Sequence, residues 1–169
     1  MKTISFSCAL LPAFLILLLS GCAQTFTREG LRMVDEDVGI HRLRAEPQAY
    51  AGQTVLLGGA IIEVENFADH TELVILHHEL GFTNRPNHRR PSGERFLVRI
   101  PRFLDPAIYH PGRWITVLGT VAGGEQRLLQ RATYLYPVIV GNELHLWPLD
   151  QNAPGRSRLH FGLGIGIGL

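Results

Sequence analysis

Lysine is almost missing from this 169-residue chain: Lys2 stands alone, and the other cationic side chains are arginines and eight histidines. Cysteine is as scarce, with only Cys8 and Cys22, so no framework of disulfides can hold the fold together. Neither sign of charge dominates; 16 Lys plus Arg face 15 Asp plus Glu, a formal net charge of +1. That balance gives no electrostatic reason to invoke nucleic acid as a partner. Beyond residue 21 the only serines are Ser92 and Ser157, neither in a nucleophile-elbow setting. Glycine-rich phosphate loops are missing as well, since Gly123-Gly124 closes an apolar run in the manner of a turn. Hydrolase and nucleotide-binding chemistry therefore have no residues to work with, and no cofactor is called for.

What is present begins at the N-terminus. Lys2 gives a short positive start, and Ile4 to Leu19 follows without a charge, rich in Leu, Ile, Phe and Ala. A basic start, an apolar stretch and a small-residue exit form a secretory signal, expected here over residues 1–21. The exit, Leu19-Ser20-Gly21-Cys22, has the pattern of a bacterial lipobox. There the Cys22 thiol takes diacylglycerol, cleavage falls between Gly21 and Cys22, and the freed amine takes a further acyl chain. An uncleaved membrane anchor is the rival, but the apolar stretch is shorter than the roughly 20 residues a bilayer needs, and Pro12 interrupts it. Ala23 follows the cysteine, in place of the Asp that usually retains such lipoproteins in the inner membrane. The expectation is outer-membrane lipid reached through Cys22, with the domain facing the periplasm. Cys8 leaves with the signal and Cys22 is consumed by lipid, so the domain depends on packing alone.

Residues 22–40 are polar and aperiodic and read as the lipidated N-terminus and a tether. A domain is expected over 41–150, opening with a helical turn within Arg42 to Tyr50. Strand candidates follow at Thr54–Glu65, Thr71–His78, Arg95–Ile100 and Arg113–Ala122. Thr133–Val140 and Glu143–Trp147 read as a hairpin around Gly141-Asn142. Asp105 to Tyr109, between two prolines, has room for one helical turn. Two strands share one pattern: Gly52-x-x-Val55-x-Leu57-x-Gly59-x-Ile61 and Gly112-x-x-Ile115-x-Val117-x-Gly119-x-Val121. Period-two alternation puts each apolar set on one face, and a glycine inside that face marks a bend. Two bends suit the corners of a small closed barrel. The predicted fold is all-β, an antiparallel OB-like barrel of five to six strands, with a plain antiparallel sandwich as the alternative.

Seven of the eight histidines lie between His41 and His145, without HxH, HExxH or Cys/His spacing. His77 and His78 are adjacent on a strand, so they point to opposite faces and chelate poorly together. They read as scattered surface histidines, and no metal site is expected. Arg85-Pro-Asn-His-Arg-Arg-Pro91 is the one dense basic run and is expected as an extended loop. It is either simply solvated or a contact for anionic lipid headgroups through Arg85, His88, Arg89 and Arg90. Residues 151–169 form a Gly-rich apolar tail; from Phe161 to Leu169 large apolar residues alternate with glycine. A strand docking on the barrel or on a partner is the leading reading there, ahead of disorder and of membrane insertion.

The lipobox, then Tyr50-Ala-Gly-Gln53, Leu57-Gly-Gly-Ala-Ile-Ile-Glu-Val64, Phe103-Leu-Asp-Pro106 and Ile115-Thr-Val-Leu-Gly-Thr-Val121 together resemble the Slp family of starvation-inducible outer-membrane lipoproteins. Tyr136-Pro-Val-Ile-Val140 and Leu144-His-Leu-Trp147 are similar to the family's close. The resemblance runs over roughly residues 10 to 150, in the family's order. It implies outer-membrane localisation and a role in envelope stress or stationary-phase survival, and it supplies no catalytic residue. Two functions follow as expectations: a non-catalytic envelope protein with a protein or polymer partner, or a periplasmic binding module for a small or polymeric ligand.

Overall fold

A strand that buries one face and bends at a glycine must find neighbours on both edges, and here the neighbours close a ring. The computed structural model describes residues 25–149. The expected signal, Gly21, Cys22 and the tail lie outside those residues. The described part contains two short helices, α1 (Arg28–Arg32) and α2 (Ile40–Ala45), then a 3-10 turn (Pro47–Tyr50). Five strands follow: β1 (Thr54–Asn66), β2 (Thr71–Leu80), β3 (Pro86–Ile100), β4 (Trp114–Leu129) and β5 (Ala132–Leu146). They form a closed barrel in the order β1-β2-β3-β5-β4.

The two pattern-sharing segments are neighbours. β1 and β4 pair antiparallel, with Val55 opposite Gly119, Leu57 opposite Val117 and Gly59 opposite Ile115. Their apolar sets face inward: Val55, Leu57, Ile61, Ile115, Val117 and Val121 are all buried. Both glycines sit where another strand crosses closely. A Cβ on Gly59 would lie 1.9 Å from the Leu76 carbonyl oxygen, and one on Gly119 would lie 2.4 Å from that of Val140. Phe96, Leu73, Ile75, Val98 and Ile139 complete the interior, and Leu43 of α2 joins it fully buried.

Four differences from the sequence reading have physical causes. The barrel is not wholly antiparallel, because a ring of five strands cannot alternate direction all the way round. The odd seam is β3 with β5, parallel through Leu97–Val138, Val98–Ile139 and Arg99–Val140. Gly141-Asn142 is not a hairpin turn; β5 runs straight through it. Gly141 pairs with Gly119 and Glu143 with Leu118, which leaves Asn142 as a bulge in the ladder. The tight connection lies instead at Gln130-Arg131, between paired Leu129 and Ala132, with Gln130 at φ +58°.

Third, the basic run is no loop. From Pro86 onward it is the first half of β3, pairing Leu80 with Pro86 and His78 with Pro91 across two register shifts, and such irregular edges tolerate proline; Arg85 stands just before the strand. Fourth, the tether expected up to residue 40 is mostly folded onto the barrel, because Phe26, Val38 and Ile40 are buried. Asp105 to Tyr109 does make its single turn, with the Tyr109 N–H donating to the Asp105 carbonyl at 2.9 Å.

Candidate functional site

The segment before β1 acts as a strap across the outside of the barrel. The Thr27 hydroxyl accepts from the Gly30 N–H at 3.1 Å, capping α1, and donates to Glu143 on β5 at 2.5 Å. The Thr27 N–H donates to the same carboxylate at 2.9 Å. Phe26 meets the His145 ring edge-on at 6.3 Å. Further along, Val34 bridges Thr54 in parallel, and the Asp35 N–H donates to the Thr54 carbonyl at 2.9 Å.

Between this strap, β1 and the far end of the β2–β3 hairpin lies a groove of about 620 Å³. Leu31, Val34, Leu56 and Leu80 give it apolar walls, while Asp35, Glu36, Glu79 and His41 bring charged or titratable groups to it. His77 and Ser92 also line it, and their Nδ1 and Oγ are 2.9 Å apart. Burial, helped by neighbouring His78 and His41, pushes the His77 pKa down to about 4. A base that weak takes a proton poorly near neutral pH, and among the described residues no carboxylate is hydrogen-bonded to its ring. The pair therefore lacks the makings of a nucleophile relay.

The other face of the same hairpin carries the basic run. Its tip is a tight turn: the Gly81 N–H donates to the Arg85 carbonyl at 2.8 Å, and the Asn84 N–H donates to the Gly81 carbonyl at 2.9 Å. Asn84, at φ +61°, takes the left-handed position that asparagine tolerates. This turn holds Phe82 wholly in solvent, at 111% relative exposure. Behind the tip, His88 stacks flat on Trp114 with ring centres 3.9 Å apart, and His78 meets that indole edge-on at 4.7 Å. His78 Nδ1 donates to the Asn87 carbonyl at 2.9 Å. The Arg85 guanidinium lies over Trp147 at 5.7 Å. The Trp147 indole N–H donates to the Thr116 hydroxyl at 2.9 Å, which donates in turn to the Asn84 carbonyl at 2.7 Å. His145 touches Trp147 at 4.5 Å and closes the path back to Phe26 on the strap.

The structure thus brings Arg85 and His88 onto a pair of tryptophans and leaves Arg89 and Arg90 exposed beside them. Arg90 reaches Glu79 at 3.1 Å. The surface-histidine expectation is corrected for His77 and His78, which the strap and the folded-back β3 cover to 7% and 5% exposure. Their side chains do diverge, His77 toward Ser92 and Phe96, His78 toward Trp114. Among the described residues no group of three or more His, Cys, Asp or Glu could hold a metal ion. No helix among them is long and apolar enough to cross a membrane.

Comparison with known proteins gives the frame for these features. The profile described as the outer membrane lipoprotein Slp family matches residues 19–162. The chain belongs to that family. It is 30% identical over 110 residues to the uncharacterized lipoprotein YeaY of Escherichia coli (strain K12), covering 65% of this chain and 56% of that protein. It is also 32% identical over 99 residues to an uncharacterized protein of Haemophilus influenzae (strain ATCC 51907 / DSM 11121 / KW20 / Rd), covering 58% and 54% respectively. The chain spans about half the length of the curated relatives it matches.

Sequence reasoning missed two groupings in this Slp-family chain. Glu72, 3% exposed, is bound by Arg127 (Nη2 at 2.8 Å) and Arg99 (Nε at 3.1 Å), and both arginines also bind Glu125. The hydrogen bond from Arg127, outweighing burial, holds the Glu125 carboxyl below its ordinary value. Charges cancel within this set, which ties the start of β2 to β3 and to the β4–β5 hairpin; no single segment of sequence contains it. Phe82 was missed because one phenylalanine between Gly81 and Thr83 carries no periodic signal.

Proposed function

We propose that the chain is a non-catalytic outer-membrane lipoprotein, cleaved between Gly21 and Cys22 and held by diacylglycerol and an N-acyl chain on Cys22. Its barrel stands in the periplasm and serves envelope stress or stationary-phase survival through a protein or polymer partner. The reading rests on the lipobox at Leu19 to Cys22, in a member of an outer-membrane lipoprotein family. Several acyl chains anchor stably where a single one does not, at about 0.8 kcal/mol per buried methylene. The weak His77 base supports the non-catalytic part.

The test is metabolic labelling with a clickable fatty acid. The wild-type chain takes up label and fractionates with the outer membrane, Cys22→Ser takes up none, and Ala23→Asp moves to the inner membrane. Label persisting on Cys22→Ser sinks the anchor, and unchanged fractionation of Ala23→Asp sinks the sorting. Survival of a deletion strain through prolonged stationary phase, with and without the wild-type copy, tests the physiological part.

A second reading is favoured by the groove, whose volume falls within the roughly 300–1,000 Å³ of small-molecule sites. In it the strap and the hairpin hold a ligand with an apolar body. Leu56→Trp would fill the groove, and loss of a retained envelope metabolite from the purified variant, with its melt unchanged, would favour binding over a purely structural role.

A further inference from the structure

The described chain opens close in sequence to the proposed anchor, and a short series of contacts links its first residues to the basic hairpin. Cys22 is three residue steps from Thr25, a stretch that spans at most about 10 Å when fully extended. A domain of this size has a radius of gyration near 14 Å, so it is wider than its leash is long. The face that carries Thr25 and Phe26 must therefore stay against the lipid. From Phe26, contacts run through His145 and Trp147 to Arg85 at the base of the hairpin tip. Leu31 of the strap and Leu80 and Asn84 of the hairpin line one groove, which fixes the same neighbourhood independently.

We propose, building on the Cys22 anchor reading, that the β2–β3 hairpin is a second membrane contact. Phe82 enters the interface of the leaflet that holds the anchor, while Arg85 and Arg89, with Arg90 beside them, meet anionic phospholipid headgroups. Phe82 buries nothing in the fold, yet a hydrogen-bonded turn holds it rigidly at an apex. An aromatic ring of this kind gains by leaving water for the headgroup boundary. Charge complementarity selects the occupant, because each arginine near an anionic surface strengthens association about fivefold. Glu79 answers part of the Arg90 charge within the fold. The Trp114–His88 and Trp147–Arg85 stacks brace the strand behind the tip, so that it presents Phe82 in one direction. The outcome is a barrel docked in a fixed orientation, in place of one that swings on a tether.

The test uses the full lipidated chain, reconstituted through its own anchor into vesicles. In Phe82→Cys the introduced thiol is the single free one, because Cys8 leaves with the signal and Cys22 carries lipid; it takes an environment-sensitive dye. Leu128→Cys is the control. Leu128 is 76% exposed and follows Arg127, which binds Glu72 near the start of β2, whereas Phe82 lies beyond that strand's other end. Both positions are outside the core, so labelling leaves the fold intact. In vesicles of equimolar phosphatidylethanolamine and phosphatidylglycerol, the dye at position 82 shifts to the blue and is quenched by lipids brominated in the upper acyl chain. At position 128 it stays in water. Adding Arg85→Gln and Arg89→Gln, or using phosphatidylcholine alone, removes most of the shift at position 82. Equal insertion in both lipids overturns the arginine part. A dye at position 82 as wet as at 128, on protein that floats with the vesicles, overturns the docking while the anchor stands. Protein that neither floats nor carries clickable fatty acid overturns the anchor, and the docking with it.

Discussion

Replacing Gly59 by alanine adds one methyl group, and in an ordinary strand that change stabilises by about 0.5–1 kcal/mol because it stiffens the unfolded chain. Here the sign should reverse. The new Cβ would stand 1.9 Å from the Leu76 carbonyl oxygen, 2.8 Å from its carbon and 2.9 Å from Ile75 Cγ2. Two of the three are backbone atoms, so no rotamer change relieves the clash, and β1 must move off β2 by about 1 Å in a close-packed interior. The pairs beside it carry Ile61 and Ile75, both fully inside, so the shift opens the core as it relieves the contact. Overpacking of this kind costs about 1–3 kcal/mol, and the lost ladder geometry places Gly59→Ala toward the upper end. For a domain of roughly 125 residues this lowers the melting temperature by roughly 6–12 °C. Gly119→Ala, 2.4 Å from the Val140 oxygen, should lose stability in the same sense by less. Gly39 has nothing within 4 Å of its would-be Cβ and φ −85°, so Gly39→Ala meets no clash and should lose only the roughly 0.5–1 kcal/mol by which alanine is the poorer N-cap of α2. Thermal and urea unfolding followed by near-ultraviolet circular dichroism measures all three. A melt of Gly59→Ala at or above wild type, or matching Gly39→Ala, would refute the close crossing as the reason for glycine.

His77 gives a pH dependence with a definite sign. Its pKa is near 6.5 unfolded and about 4 folded, so the unfolded chain binds more protons between those values and stability falls as pH drops through that window. The loss reaches about 3 kcal/mol near pH 4, with the partly covered His145 adding in the same direction; His77→Gln should flatten most of the slope, and a urea midpoint independent of pH in the wild type would contradict the assignment. Glu72→Gln leaves Arg99 and Arg127 without their buried carboxylate, though both are about one-third exposed and can rehydrate, so a loss of about 1–3 kcal/mol is expected from denaturation curves. Thr27→Ala removes the cap on α1 and its hydroxyl's link to Glu143, at about 1 kcal/mol; faster hydrogen exchange at the first amides of α1, with the barrel amides unchanged, would show the strap loosening on its own.

The barrel was legible because its decisive signals are local. Two identical apolar alternations, each broken by one glycine, announce strands that bend, and the same two strands turn out to be paired partners. Strand limits were less legible where pairing overrides composition. Pro86 and Pro91 argued for a loop, yet β2 is long enough to carry that stretch as its irregular partner. Gly141-Asn142 carried a true turn signal, but β4 runs alongside it without a break, so the extra residue became a bulge. The parallel seam follows from the count of five strands, which no dipeptide encodes.

The site was less legible than the fold, and the strap shows why. Residues 23 to 40 have no period, and in a polar stretch that is the mark of a linker. What ties them down is a few scattered contacts: Phe26 on His145, Thr27 on Glu143, Val34 on Thr54, and the buried Val38 and Ile40. His145, Glu143 and Thr54 are each 20 or more residues from their partners in the strap, so no window of sequence contains those pairings. The consequence for function is large. A free linker from Cys22 to residue 40 would reach up to about 60 Å, and any face of the barrel could then meet the membrane. With residues 25 to 40 packed on the barrel, the leash of the proposed anchor shortens to about 10 Å, and that shortening is the premise of the docking proposed for Phe82, Arg85 and Arg89. Loosening the strap by Thr27→Ala should therefore widen the orientations of the barrel before it unfolds anything, and the dye at position 82 would report that as partial loss of quenching at full vesicle binding.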